Sequence, residues 1–321
     1  MSDAVSQAHN LVQRGDALAA ADVLNRAQQA GNAMAARELA LWLLAGQVIR
    51  RSLASSRAMF ERAADLGDDY SAAVTRAFLA GGVGGAADWS RAVELLRDAA
   101  ASEPAAAAQI RLIDAMDLIA DGAPAAENAA ETLSVAPEVR RFPALFSGDE
   151  CAYLIDAAKP LLQPSVVVDP RTGQQVPNPV RTSSAAGFPF IDENPAIHAL
   201  NRRLAAASGT DVRSGEPLQV LHYAPGQQYH PHSDALPNVA PNQQRVLTFL
   251  VWLNDDFDGG ETSFPHLGLS VRGRTGDGLL FRNALPDGTV DPRALHAGLP
   301  VTRGVKHIAS RWIRAAPLVL E

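Results

Sequence analysis

The stretch Tyr223-Ala224-Pro225-Gly226-Gln227-Gln228-Tyr229-His230-Pro231-His232-Ser233-Asp234 decides how this chain is read. It follows a run of β-forming residues, Leu218–Tyr223, and is broken by a Pro-Gly pair, as expected for short strands joined by turns. Residues two apart on an extended chain point the same way, so His232 and Asp234 present an imidazole and a carboxylate side by side. Alone the pair means little. The chain has eight histidines and many aspartates, so such a spacing arises by accident, and an isolated histidine is usually structural. A third ligand is required, and His296, 62 positions beyond Asp234 in a second strand-like segment before Ala297-Gly298, can supply it.

Two imidazoles and one carboxylate on one face of an octahedron are the ligand set of non-haem Fe(II) oxygenases. Three protein ligands leave three positions, two for a chelating 2-oxo acid and one for O₂. Zinc would be redox-silent in such a site. Reading outward, an ordered series of motifs surrounds the three residues. Arg181-Thr182-Ser183-Ser184 and Glu216-Pro217-Leu218-Gln219-Val220-Leu221 precede them, and Arg245-Val246-Leu247-Thr248, Trp252-Leu253-Asn254 and Gly259-Gly260-Glu261-Thr262-Ser263-Phe264-Pro265 follow. Then come Gly276-Asp277-Gly278-Leu279-Leu280-Phe281-Arg282-Asn283, Leu295-His296-Ala297-Gly298, Gly304-Val305-Lys306 and Arg311-Trp312-Ile313-Arg314. From about Arg181 to Arg314 this order resembles the catalytic domain of prolyl 4-hydroxylases, a branch of the 2-oxoglutarate dioxygenases.

The resemblance implies a double-stranded β-helix (a jelly-roll, cupin-like barrel) with Fe(II) on His232, Asp234 and His296. It places Lys306, ten residues after His296, against the far carboxylate of 2-oxoglutarate. Tyr223 and, with more room for a purely structural role, Thr262 fall on hydroxyl contacts to that cosubstrate. Tyr229, Arg245, Trp312 and Arg181 fall beside the substrate groove, although core packing would equally explain Trp312. Trp252 departs from the pattern, since relatives commonly carry tyrosine before Leu-Asn, which leaves the cosubstrate pocket less defined than the metal site. His222, His230, His266 and His307 are not needed for the triad and read as structural. Gly259-Gly260 reads as a turn, because no helix signal follows it. The implied cofactors are Fe(II), 2-oxoglutarate, O₂ and ascorbate as reductant. The implied reaction is hydroxylation of a peptidyl proline. The alternatives are an oxygenase acting on a free amino acid or other small molecule, and a binding protein whose barrel is silent.

The first 120 residues use a different grammar, rich in Ala, Leu, Arg and Glu, with apolar residues at helical spacing. An offset of 36 residues carries Leu24 to Phe60 to Leu96, Ala27 to Ala63 to Ala99, and Gly31 to Gly67. These features resemble Sel1-like repeats, relatives of tetratricopeptide repeats, whose stacked helices bind peptides or proteins. Gly81–Gly85 fits a loop between units. The expected fold is therefore α+β and multidomain: a helical repeat region over 1–125, a linker with a helix and a mobile loop over 126–180, and a catalytic domain over 181–321 or starting near 140. Ser147-Gly148-Asp149-Glu150 signals a helix start, another helix is expected over 196–207, and the Pro- and Gly-rich stretch 163–180 reads as a lid. Strands are expected over Leu218–Tyr223, Arg245–Leu253, Gly278–Phe281 and His307–Ile313.

Composition bounds the rest. The 321 residues are 47% hydrophobic and 20% charged, as in ordinary globular proteins. A net charge of −7 disfavours nucleic acid as a partner. The start lacks a basic, apolar leader, no apolar run spans a membrane, and Cys151 is the sole cysteine, so a cytoplasmic protein is expected. The partner expected is a protein or peptide substrate recruited by the repeats; the oligomeric state is not legible.

Overall fold

The computed structural model describes residues 3–126, 128–168, 175–177 and 180–319. The chain divides into two compact units, one comprising Met1–Ala123, Phe190–Ala199 and Val319–Glu321, the other Pro124–Pro189 and Leu200–Leu318.

The first unit contains α1 (Asp3–Gln13), α2 (Ala17–Gln29), α3 (Ala33–Ala45), α4 (Leu53–Asp65), α5 (Asp69–Gly81), α6 (Trp89–Ala99) and α7 (Pro104–Ala115). The 36-residue offset maps α2 onto α4 onto α6, and α3 onto α5 onto α7, so the sequence repeat is a repeated helix pair. Its punctuation repeats as well. Asp16, Ser52 and Asp88 each accept the backbone N–H three residues on, at 3.1, 3.2 and 2.9 Å, which satisfies a donor that the helix leaves unpaired. Gly31 and Gly67, at φ +91° and +89°, take the left-handed turn that ends α2 and α4, where a side chain would be strained. Leu24, Phe60 and Leu96 are fully buried, and Ala20, Ser56 and Ala92 keep the helices close enough to bury them. Among the described residues no helix is long and apolar enough to cross a membrane.

The second unit runs β1 (Glu131–Val135), β2 (Glu138–Phe142), α8 (Gly148–Ala158), β3 (Gln163–Pro164), β4 (Val166–Val168), β5 (Gln175–Pro177) and β6 (Ser184–Phe188). After α9 (Pro195–Ser208), which begins in the first unit, come β7 (Leu218–Tyr223), β8 (Tyr229–His232), β9 (Arg245–Trp252), β10 (Asp258–Gly259), β11 (Thr262–Phe264) and β12 (Leu269–Val271). The chain ends with β13 (Gly278–Arg282), β14 (His296–Gly298), β15 (Val301–Arg303) and β16 (Lys306–Arg314). Eight strands form one sheet in the order β1-β2-β13-β9-β16-β7-β6-β3, and four form another, β12-β11-β14-β8. Apolar residues of both sheets meet in one core: Leu221, Trp252, Phe281 and Ile308 from the larger, Phe264 and Val271 from the smaller. This is the double-stranded β-helix layout, with alternate residues turned inward.

The segment 126–180, expected to hold a linker, a helix and a loop, also carries strands. Its hairpin β1–β2 extends the large sheet, β2 pairing with β13 through Val139↔Phe281 and Phe142↔Gly278. Val139 and Phe142 are buried there, which is why the hairpin stays on the sheet. The Ser147 signal is realised as a capping box with Glu150 at the start of α8. Within 163–180 the chain forms β3 and the β4–β5 hairpin; the tip of the expected lid, 169–174, and residues 178–179 lie outside the described residues.

Candidate metal centre and cosubstrate cleft

Strand register assembles the triad. β14 runs antiparallel to β8 with His296 opposite His232, and Asp234 follows just past the end of β8. His232 Nε2 lies 3.6 Å from Asp234 Oδ1 and His296 Nε2 3.5 Å from Asp234 Oδ2. One ligand atom from each residue falls within 4.8 Å of the others. In both histidines Nδ1 faces a backbone carbonyl, His230 at 2.8 Å and Ala294 at 3.1 Å. A carbonyl only accepts, so Nδ1 carries the proton and Nε2 keeps its lone pair for a cation. Burial holds His296 down to about 4, so this imidazole is neutral at physiological pH. Burial opposes ionisation of Asp234, but His296, His232 and the Thr248 hydroxyl overcome it and hold its carboxyl well below the usual range. A neutral His296 imidazole beside one ionised carboxylate fits a divalent iron.

Lys306 opens into the same cleft. It stands opposite Tyr223 in the β16–β7 ladder and is 3% exposed. Its Nζ donates to Gly260 O at 2.7 Å and lies 5.4 Å above the Tyr223 ring. Among the described residues its hydrogen-bond partner is that backbone carbonyl, and Glu261 is near enough to favour its charge. A buried ammonium so placed fits an incoming carboxylate. Gly259, the last residue of β10, and Gly260 are both left-handed (φ +71° and +69°), and this bend delivers the Gly260 carbonyl that holds the lysine.

The cleft is lined by all three ligands and by Lys306, Tyr223 and Thr262. Tyr223 hydrogen-bonds Ser183, and burial pushes its phenol up to about 12, so it stays a neutral donor. Tyr229, Trp312 and Arg181 line the cleft as well. The Tyr229 ring stacks on His232 with centroids 3.4 Å apart, and the Arg181 guanidinium sits 5.7 Å from the centre of the same Tyr229 ring. Arg245 differs from expectation. It does not line the cleft; its guanidinium is spent on a bidentate pair with Glu216 (2.7 and 2.7 Å) and lies 3.9 Å over the Trp312 ring, behind the wall. Trp252 is not in the lining either: it is fully buried in the core, and among the described residues its indole N–H has no acceptor. None of His222, His230, His266 and His307 lines the cleft, and His222 and His307 pack edge to face at 5.1 Å.

Sequence reasoning passed over Ile308 and Ser310, which complete the β16 wall between Lys306 and Trp312. Period two along the strand, 306-308-310-312, could have found them. It also passed over Thr248, a lone hydroxyl in the apolar run Val246–Trp252, which donates to Asp234 Oδ2 at 2.7 Å.

The sequence profile of the 2OG-Fe(II) oxygenase superfamily matches residues 218–314. Prolyl 4-hydroxylase 1 of Arabidopsis thaliana is 38% identical over 201 residues, 57% of this chain and 71% of that protein. Probable prolyl 4-hydroxylase 10 of the same plant is 36% identical over 206 residues, with the same two shares, 57% and 71%. A crystal structure of the viral collagen prolyl hydroxylase from Paramecium Bursaria Chlorella virus-1, a 2-oxoglutarate complex, is 30% identical across 56% of this chain and 96% of that one, with a TM-score of 0.44. A Sel1 repeat protein from Oxalobacter formigenes is 20% identical across 35% of this chain and 50% of its own, with a TM-score of 0.30.

Proposed function

The chain belongs to the prolyl 4-hydroxylases of the 2-oxoglutarate- and Fe(II)-dependent oxygenase superfamily, and from that premise we propose that it hydroxylates prolyl residues held within a protein or peptide. One observation carries the reading: three ligand atoms and a buried ammonium, held among the described residues by a backbone carbonyl, open into one cleft, leaving a wall of Tyr229, Arg181 and Trp312 for a second molecule.

His232, Asp234 and His296 would hold the metal, and Lys306 would pair with the distal carboxylate of 2-oxoglutarate. Tyr223 would offer its hydroxyl to the same cosubstrate, and Thr262 adds a buried hydroxyl to the lining. Bound Fe(II) with 2-oxoglutarate and O₂ supplies the oxidising power; ascorbate keeps the metal ferrous. The chain contributes position and dryness. Leu221, Leu250 and Ile308 present apolar surface between the lysine and the metal ligands, which excludes competing water. The stacked Tyr229 and the Arg245-backed Trp312 form rigid flat walls suited to a pyrrolidine ring. The helical repeats recruit the protein that carries the proline.

The test is turnover of the purified full-length protein with Fe(II), 2-oxoglutarate, ascorbate and either a proline-rich peptide or free L-proline. The expected result is succinate formed with peptide and one oxygen atom gained on a peptidyl proline, with His232→Ala inactive. Oxygen gained on free L-proline alone would transfer the assignment to small-molecule hydroxylation. Undiminished turnover by His232→Ala would overturn the ligand set.

A further inference from the structure

The metal ligands have their own support, and in one case it is built from two buried polar residues that no ligand position requires. Thr248 sits on β9 among apolar neighbours and is 1% exposed, as is Asn283 just past the end of β13. Antiparallel pairing of β9 with β13 sets Thr248 opposite Phe281, two residues before Asn283. Thr248 Oγ1 lies 2.7 Å from Asp234 Oδ2, and Asn283 Nδ2 lies 2.8 Å from Thr248 Oγ1.

The direction of these bonds follows from the groups. An ionised carboxylate only accepts, so the single hydroxyl hydrogen of Thr248 goes to Asp234. Thr248 must then accept, and Asn283 must turn its NH₂ toward it. That orientation leaves Asn283 Oδ1 buried with no partner among the described residues. An orphaned buried carbonyl costs about 1–3 kcal/mol and calls for a reason. The reverse orientation would set the amide oxygen against the hydroxyl and compete with Asp234 for its hydrogen. The orphan is the consequence of keeping that hydrogen on the carboxylate.

We propose that Asn283 and Thr248 form a one-way hydrogen-bond relay that fixes the rotation of the Asp234 carboxylate, occupying Oδ2 and leaving Oδ1, which faces His232, to take the metal. Both are positioning residues; neither touches the ion. The torsion that rotates a carboxylate is soft, so without a donor on one oxygen the group samples orientations that do not complete the triad. The segment that carries Asn283 serves the third ligand as well. Asp291 N donates to Asn283 O at 3.0 Å, Ala294 N to Asp291 O at 3.0 Å, and Ala294 O receives the Nδ1 hydrogen of His296. One run of chain thus holds the supports of two ligands.

This inference rests on the reading of the triad as a divalent metal site, and the experiment separates the two. Mn(II), which does not oxidise in air, is titrated into the full-length protein and the free ion followed by electron paramagnetic resonance. Metal-free thermal unfolding is recorded for each variant. Thr248→Val, close in shape, should weaken Mn(II) binding by about 10–100-fold, the usual range for losing such a support, while its metal-free unfolding midpoint stays near that of the wild type. Thr248→Ser should bind as the wild type does. Asn283→Leu should weaken binding in the same direction, and the double variant Thr248→Val/Asn283→Leu should be no worse than Thr248→Val alone, because Asn283 acts through Thr248. Wild-type affinity in Thr248→Val, poor affinity in Thr248→Ser, or losses that multiply in the double variant would each overturn the relay. If Thr248→Val does not fold, Asn283→Leu decides, and unaltered binding overturns the proposal. A wild-type protein that binds no Mn(II) would instead sink the metal-centre reading beneath it.

Discussion

An ammonium buried beside a single carbonyl loses its proton early, and desolvation holds Lys306 down to about 8, with Glu261 opposing the shift. Two pH effects follow. The unfolded chain keeps this proton up to the ordinary lysine range while the folded chain releases it from about 8, so between those values the unfolded state binds more protons. Stability of the metal-free protein should therefore rise as pH climbs through that window, and Lys306→Met should flatten the rise in a pH series of thermal melts. Cosubstrate binding runs the other way. Only the ammonium pairs with a carboxylate, so KM for 2-oxoglutarate should climb above pH 8, and Lys306→Met should raise it about 10–100-fold, the equivalent of one charge-assisted hydrogen bond of about 1.5–3 kcal/mol. A KM that is flat in pH and unmoved by the substitution would remove Lys306 from the cosubstrate site. At this scale the sequence is informative where spacing along one strand end sets geometry, as for His232 and Asp234, or where a family motif fixes register, as for Lys306. It is silent where two strands must first pair. Thr248 gains its meaning from Asp234 and from Asn283, 35 residues away, and Arg245 leaves the substrate wall because Glu216, 29 residues away, claims its guanidinium.

Among the elements, the repeated helix pairs were legible because their caps and small residues recur with the same period as their apolar faces. Asp16→Ala, Ser52→Ala and Asp88→Ala should each destabilise the helical unit by about 1 kcal/mol, the usual loss for an N-cap, visible in denaturant unfolding followed by far-ultraviolet circular dichroism. Wild-type midpoints in all three would mean the caps contribute nothing. The hairpin β1–β2 was not legible. Its residues alternate acceptably, yet what makes them strands is β13, about 140 positions downstream, against which Val139 and Phe142 bury. The departure at Trp252 also resolves at this scale. Its ring occupies the core and leaves no room beside Gly273, where an added Cβ would stand 2.3 Å from Trp252 Cε3. Gly273→Ala should accordingly cost about 1–3 kcal/mol from overpacking, and a Trp252→Phe background should recover much of it, since the two share one space. KM for 2-oxoglutarate should hold in both, because neither side chain lines the cleft. A large KM change with Trp252→Phe would return this residue to the cosubstrate pocket.

For the whole molecule the relevant fact is that each unit holds apolar clusters of its own. Leu24, Leu39 and Trp42 gather in one part of the helical unit, Phe60, Val74 and Phe78 in another, and Tyr223, Trp252, Phe264 and Phe281 in the sheet unit. Ligands that bind a folded unit stabilise that unit by mass action, about 2.7 kcal/mol at a hundred times the dissociation constant. Mn(II) with an unreactive 2-oxoglutarate analogue should therefore slow amide hydrogen exchange in β7, β8, β9, β14 and β16, the strands that carry or flank His232, Asp234, His296 and Lys306. Exchange in α1 to α7 should stay as it was, because no residue of those helices lines the cleft. The contrast is sharpest for slow amides, which open only when their own unit unfolds. Protection that rose equally in the helices would mean that both cores melt in one step, and the repeats would then be part of what stabilises the catalytic barrel rather than a separate surface for the substrate protein. Protection confined to the sheet unit leaves the helices free to respond to a different ligand, so the same exchange measurement repeated with a protein substrate should mark α1 to α7 if the repeats recruit it.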